Sequence, residues 1–100
     1  MYTNFEEAIE AIAKEVAELV ISKQRDYGVK NILNSPFGPE HGIVVREFDK
    51  LSRLAHLLAS GKKPHNESIE DSWKDVVGYG LIALMVRRGV FDLPLKEGTA

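Results

Sequence analysis

Three long segments of this chain carry apolar residues at spacings of three and four, and no segment alternates apolar and polar residues as a strand does. The segments run from about Asn4 to Asp26, from about Ile43 to Ser60, and from Asn66 to about Arg88. They predict an all-α fold, a small bundle of three main helices in one domain over residues 1–100. The tail from about residue 93 is predicted to be partly disordered.

Residues at the ends of these segments match the preferences of helix termini. Asn4 can cap the first helix, and Gly28 can end it in a left-handed conformation. Residues 28–42 are predicted to form a loop, because Pro36 and Pro39 lie close together in it. A loop this long in a small domain is more often functional than idle.

Each of the first two helices has one apolar stripe, which is predicted to face the core. In the first helix the stripe contains Phe5, Ile9, Ile12, Val16, Leu19 and Val20. In the second it contains Val44, Phe48, Leu51, Ala55 and Leu58, with Ile43 and Leu54 beside it. The second half of the third helix is apolar all round, which predicts that it is buried.

Composition excludes several classes of function and predicts association between chains. The net charge of −2 argues against direct binding to duplex DNA, and the absence of cysteine excludes disulfides and thiolate metal sites. No signal peptide or membrane span is expected, which predicts a cytoplasmic protein. A chain of 100 residues buries only about 65% of its unfolded surface, so we expect a homodimer or higher oligomer.

The third helix carries an acidic column in which Glu67, Asp71 and Asp75 follow one another at intervals of four. Residues at this spacing share one helical face, and here the same face becomes apolar further along. Carboxylates at the edge of a buried groove need a cation, and Mg²⁺ or Mn²⁺ prefers such oxygen ligands. A solvated acidic face is the alternative interpretation of this column.

The second helix places Arg46, Asp49, Lys50 and Arg53 on one face, opposite its apolar stripe. These residues are compatible with a basic clamp for phosphate, since arginine can bond two phosphate oxygens at once. They are also compatible with an ordinary surface ion pair between Asp49 and Arg53.

Two tyrosines, and one glutamate of the first helix, have two interpretations each. Tyr27 could stack on a base or pack against the loop, and Tyr79 could hydrogen-bond a ligand or belong to the core. Glu18, three residues after Glu15, could bind a metal or lie on an exposed face. The spacing alone leaves these alternatives open.

Several motifs over residues 20–86 resemble the nucleotide modification associated domain family, which is small and mostly phage-encoded. The motifs are Lys23-Gln24-Arg25-Asp26-Tyr27-Gly28, Asn31, Gly42-Ile43-x-x-Arg46-x-x-Asp49-Lys50-x-x-Arg53-Leu54 and Asn66-Glu67-Ser68-x-x-Asp71-x-x-x-Asp75-x-x-Gly78-Tyr79. The resemblance implies a helical fold similar to the MazG-like nucleoside triphosphate pyrophosphohydrolases. Those enzymes hold Mg²⁺ with acidic residues on adjacent helices, release pyrophosphate from a nucleoside triphosphate, and act as dimers or tetramers.

The preferred hypothesis is therefore a Mg²⁺-dependent pyrophosphohydrolase-like phage protein that acts on a nucleoside or deoxynucleoside triphosphate in the host cytoplasm. Its expected catalytic and metal residues are Glu67, Asp71 and Asp75, with Glu18 or Asp49 as further metal ligands. Its expected substrate-binding residues are Lys23, Tyr27, Asn31, Arg46, Lys50, Arg53 and Tyr79.

Two other hypotheses come from different functional classes. In the first, the same residues bind a nucleotide without cleaving it, in DNA modification or in phage–host defence. The four-residue spacing of the acidic column favours this hypothesis, because MazG-like enzymes carry Glu-x-x-Asp and Glu-Glu-x-x-Glu instead. In the second, the chain is an interaction module, its charged residues are only surface, and its third helix is a dimer interface.

Overall fold

The computed structural model describes residues 1–96, and these residues form four helices and no strand. The helices are α1 (Phe5–Tyr27), α2 (Lys30–Leu33), α3 (Pro39–Ser60) and α4 (Ile69–Arg87). The all-α fold is therefore confirmed. Of the tail predicted to be disordered, residues 93–96 have no regular secondary structure, and residues 97–100 lie outside the described residues.

Helix α1 begins and ends where its sequence predicts. The Asn4 side chain accepts a hydrogen bond of 2.8 Å from the backbone N–H of Glu7, which satisfies one free donor of the first turn. Gly28 follows the last helical residue with φ 67°, and its N–H donates to the carbonyl of Gln24. Glycine adopts this positive φ without the steric penalty of a side chain, so the chain can turn away here.

The predicted loop over residues 28–42 begins as expected, but its interior and its end are predicted wrongly. Helix α2 lies inside it, and α3 begins at Pro39, four residues earlier than predicted. Proline is well suited to the first position of a helix, because a backbone N–H at that position would have no acceptor within the helix. Helix α4 begins later than predicted, because Ser68 caps it and accepts 3.0 Å from the N–H of Asp71.

Helix α4 packs against both α3 and α1, while α2 packs against α3. Ile32, Ile43 and Phe91 form a buried cluster that joins α2, α3 and the segment after α4. Gly78 is buried where α1 crosses α4, since a Cβ at this position would lie 3.2 Å from Cγ2 of Val20. This close approach brings the end of α1 to the middle of α4.

The apolar stripe Val44, Phe48, Leu51, Ala55 and Leu58, which we call the outer stripe of α3, faces away from the other helices. Phe48 is 67% exposed and Leu58 is 60% exposed, whereas Ile43 and Leu54 are buried. The prediction that this stripe faces the core of the chain is therefore wrong. The physical reason is that α3 turns the opposite, charged side toward α4 and forms ion pairs with it.

The chain exposes more surface than a compact protein of its mass. Its accessible surface is 7663 Å², whereas a folded monomer of 11.2 kDa exposes about 5,700 Å². Its radius of gyration is 15.2 Å, against about 13 Å for a compact domain of this length. The exposed side chains include many large apolar ones, and no helix within residues 1–96 combines the length and hydropathy needed to span a membrane.

Candidate functional site

A cavity of about 300 Å³ lies between the end of α1, the short helix α2 and the middle of α4, and we call it the α1–α4 pocket. Its lining combines cationic, amide and aromatic side chains with an apolar floor. The lining residues are Leu19, Val20, Lys23, Gln24, Tyr27, Gly28, Asn31, Ile32, Arg46, Lys74, Asp75, Gly78, Tyr79, Ile82 and Phe91.

Arg46 of α3 joins two walls of this pocket. One of its guanidinium nitrogens, Nη2, donates 3.0 Å to the backbone carbonyl of Asn31, which fixes α2 against α3. The guanidinium carbon also lies 5.9 Å from the ring centre of Tyr79, within the range of a cation–π contact. Gln24 closes the far side, because its amide donates 3.5 Å to the carbonyl of Phe91.

A network of ion pairs adjoins the pocket at Asp75. The two carboxylate oxygens of Asp75 each lie 2.9 Å from a lysine nitrogen, one from Lys23 of α1 and one from Lys50 of α3. Lys50 lies 2.7 Å from Glu67, and Glu67 also contacts Arg53 at 3.7 Å. Three helices and the segment before α4 are therefore held together by alternating charges, which we call the ion-pair network.

The pKa shifts in the ion-pair network follow from the alternation of positive and negative side chains. Burial opposes ionisation of Asp75, but hydrogen bonds from Lys23 and Lys50 outweigh it and lower the pKa of the carboxyl. A hydrogen bond from Lys50, and then one from Ser72, lowers the pKa of Glu67. Burial opposes the charge of Lys50, but its bonds to Glu67 and Asp75 raise its pKa. All three groups are therefore charged at neutral pH.

Glu47 is the carboxylate that sequence reasoning missed. Burial, and then the negative charge of Asp75, raises the pKa of Glu47 above the ordinary value. Its Oε1 atom is buried and has no hydrogen-bond partner among residues 1–96. Its position was detectable, because Ile43, Glu47, Lys50 and Leu54 follow one another at spacings of four, three and four.

Most of the predicted substrate-binding residues come together. Lys23, Tyr27, Asn31, Arg46 and Tyr79 all line the α1–α4 pocket. Lys50 and Arg53 lie in the adjoining ion-pair network instead. Residues from all the long helices thus line one pocket.

The predicted metal ligands do not form one group, although Glu67 and Asp75 both contact Lys50. Helix α4 begins at Ile69, so Glu67 precedes the helix and does not continue a column with Asp71 and Asp75. Asp71 is exposed, and so are the further predicted ligands Glu18 and Asp49. Within the described part of the chain, no group of three or more His, Asp or Glu side chains could hold a metal ion.

The substitution Glu47→Gln is expected to stabilise the protein by about 1 kcal/mol at pH 7. A raised pKa means that the folded state favours the protonated acid, so stability is lost as pH rises through the folded pKa. The neutral amide avoids this loss. The gain should disappear below the ordinary pKa of glutamate, and chemical unfolding of both proteins between pH 3 and pH 7, about one unit apart, measures it. A gain that does not depend on pH would contradict this account.

Comparison with protein-family models, with curated proteins and with solved structures finds no match to this chain.

Proposed function

We propose that this chain binds a nucleotide in the α1–α4 pocket and acts as a Mg²⁺-dependent, pyrophosphohydrolase-like protein of the phage type. The observation that carries the proposal is the pocket's lining, which combines three cationic side chains with two tyrosines and two amides. A nucleotide presents the complementary groups: phosphates for the cations, a flat base for the aromatic rings, and polar base edges for the amides.

The side chains of the pocket have different parts in this binding. Tyr27 is 68% exposed at the rim, so its ring is free to stack on a base. Asn31 and Gln24 supply amide groups that can bond base edges. Arg46 and Lys23 supply charge for the phosphates, and Arg46 can bond two oxygens at once.

Glu47, with Asp75 near it, would be the residue to hold a magnesium ion in this proposal. The unpartnered Oε1 of Glu47 lies in a buried position, and the charge of Asp75 acts on the same carboxyl. Mg²⁺ is usually held by one or two carboxylates together with substrate phosphates, so a third protein carboxylate is not required. A Mg²⁺ or Mn²⁺ ion held there would supply positive charge for the triphosphate. The pKa of Glu47 is raised, so a Glu47 oxygen that does not contact the ion would be suited to accept a proton from an attacking water.

Binding without cleavage is the second candidate function, and one observation favours it. Both oxygens of Asp75 already bond to lysines, and Glu67 bonds to Lys50 and Arg53, so these carboxylates are neutralised by the protein itself. In that case Lys23 and Lys50 serve to hold Asp75, and the pocket stores or sequesters a nucleotide in DNA modification or phage–host defence.

We also propose that the chain functions as a homodimer or higher oligomer. The outer stripe of α3 is exposed, and on α1 Phe5 and Ile9 are exposed as well. The surface exceeds that of a compact monomer by about 2,000 Å². An obligate dimer interface covers a comparable area, so a second copy is the simplest cover for these residues. If the charged pocket binds nothing, this interface remains the function of an interaction module.

Incubation with each nucleoside and deoxynucleoside triphosphate, with Mg²⁺ or Mn²⁺, tests the proposal. We expect pyrophosphate release from at least one of them, and calorimetry should detect binding that the substitution Arg46→Gln weakens about tenfold. Arg25→Gln is the matched control, because Arg25 is exposed on α1 and does not line the pocket. Binding with the ligand recovered intact supports storage, and no binding of any nucleotide contradicts both functions.

A further inference from the structure

A second cavity of about 290 Å³ lies where α3 ends and the chain runs to α4, and we call it the basic pocket. It is separate from the α1–α4 pocket, since the two linings share no residue. The lining residues are Arg53, His56, Leu57, Ser60, Lys62, Lys63, Pro64, His65 and Asn66.

The basic pocket concentrates positive charge in a protein whose net charge is negative. No aspartate or glutamate lines it, and none occurs in the sequence from Lys50 to Asn66, although the whole chain contains 15 acidic residues. Two of the three histidines line it together with two lysines and one arginine. A concave surface lined by one sign of charge focuses the electric field and raises the local concentration of counter-ions.

Most of these groups have no role in holding the fold. Arg53 is engaged, because it donates 2.7 Å to Oγ of Ser72 and lies near Glu67. The side chains of Lys62 and Lys63 make no hydrogen bond or ion pair with any residue from 1 to 96. The same is true of both histidines of the pocket. Cations gathered without an acidic partner are therefore available for an anion.

The negative end of the α3 dipole does not account for this charge. That end is equivalent to about half an elementary charge, which one lysine already exceeds. The last turn is also closed by backbone, since the N–H of Gly61 donates 3.1 Å to the carbonyl of Leu57. Gly61 has φ 66°, a conformation that favours glycine and turns the lysines that follow it away from the helix axis.

We propose that the basic pocket binds a small, multiply charged phosphate anion of the pyrophosphate type. Lys62 and Lys63 supply the charge, and ammonium groups bind phosphate as point charges. Asn66 and Ser60 supply neutral polar groups in the same lining, while Leu57 and Pro64 form low-dielectric walls that strengthen the attraction. This site does not depend on the nucleotide proposed for the α1–α4 pocket.

Titration with pyrophosphate at low ionic strength, followed by calorimetry and by amide NMR, tests the proposal. We expect shifts centred on residues 61–66 and an affinity that falls about tenfold in the double variant Lys62→Gln/Lys63→Gln. These lysines are exposed, so the variant should fold normally. The double variant Lys14→Gln/Lys30→Gln removes the same charge from exposed lysines outside both pockets and should bind as the wild type does.

The variant Arg46→Gln separates this proposal from the nucleotide site, because it should weaken nucleotide binding in the α1–α4 pocket about tenfold and keep the shifts at residues 61–66. If the basic pocket of that variant binds both pyrophosphate and a nucleoside triphosphate, its ligand is a free phosphate anion. If it binds the triphosphate but not pyrophosphate, its ligand is the phosphate group of a nucleotide. An equal loss in both double variants, or no shift at residues 61–66 with either probe, would overturn the proposal.

Discussion

The substitution Asp75→Asn is expected to lower the free energy of unfolding by about 2–3 kcal/mol at pH 7. The side chain of Asp75 is only 14% exposed, and its carboxylate bonds Lys23 and Lys50 at once. An amide has the same shape but no charge, so Lys50 loses one of the charges that offset its burial, and the more exposed Lys23 loses its partner. Glu67 still bonds Lys50, which keeps the expected loss below that of a fully orphaned buried charge.

Asp71→Asn is the matched control for this prediction. Asp71 lies one turn earlier on the same helix and is exposed, so the same chemical change should alter stability by less than about 0.5 kcal/mol. The folded pKa of Asp75 is lowered, so its contribution is present above the ordinary pKa and is lost as pH falls through the folded value. The two variants should therefore converge in acid. Equal stability of both variants at pH 7 would refute the role given to the ion-pair network.

The same variant separates the two candidate functions of the α1–α4 pocket. If hydrolysis uses a metal ion held by Glu47 and Asp75, Asp75→Asn should abolish pyrophosphate release. If the pocket only stores a nucleotide, the substitution removes one negative charge and frees Lys23 for the phosphates, so affinity should rise. Calorimetry with the non-cleaved ligand and a pyrophosphate assay, run on one preparation, distinguish the two.

Helix termini with their own local signals could be predicted from the sequence. Asn4 and Gly28 mark the ends of α1 as expected, because a cap and a left-handed glycine act through neighbouring residues only. Pro39 was misinterpreted as a helix breaker, although the first position of a helix accepts proline. Local signals thus predicted the elements correctly where one interpretation existed, and failed where a proline allowed two.

The orientation of α3 could not be predicted from its own pattern. Its apolar residues predict that the outer stripe is buried, but Lys50 and Glu47 lie on the face that meets α4. That choice depends on the ion pair of Lys50 with Asp75, two residues on different helices that meet only in the fold. The sequence of α3 has the same periodicity whether its apolar face or its polar face packs against the other helices. The pattern alone therefore does not show which face is buried.

The candidate site also has a part that could be predicted from the sequence and a part that could not. The motif residues Tyr27, Asn31 and Arg46 were identified by their resemblance to a family, and they do line one pocket. The prediction of an acidic column assumes that Glu67 lies in the helix. Ser68 caps the helix, so Glu67 precedes it. The spacing places Glu47 on the same face as Lys50, but its burial and its closeness to Asp75 depend on the fold.

The substitution Phe48→Asp is expected to convert the protein from a dimer or higher oligomer to a monomer of 11.2 kDa at micromolar concentration. Phe48 lies in the middle of the outer stripe of α3 and is 67% exposed in the single chain. A carboxylate placed inside an apolar interface loses its hydration without gaining a partner, which costs several kcal/mol, or more than about a hundredfold in association. Light scattering after gel filtration measures the mass of wild type and variant.

Phe37→Asp is the control, because it makes the same chemical change on a side chain that is 92% exposed in the segment before α3, away from the outer stripe. It should keep the wild-type mass, and aspartate tolerates the positive φ of 65° at this position better than phenylalanine does. A wild-type chain that stays monomeric would show that the exposed stripe is stable in water without a second copy. Dissociation by both substitutions would extend the interface beyond the outer stripe of α3 to the segment before this helix, which contains Phe37.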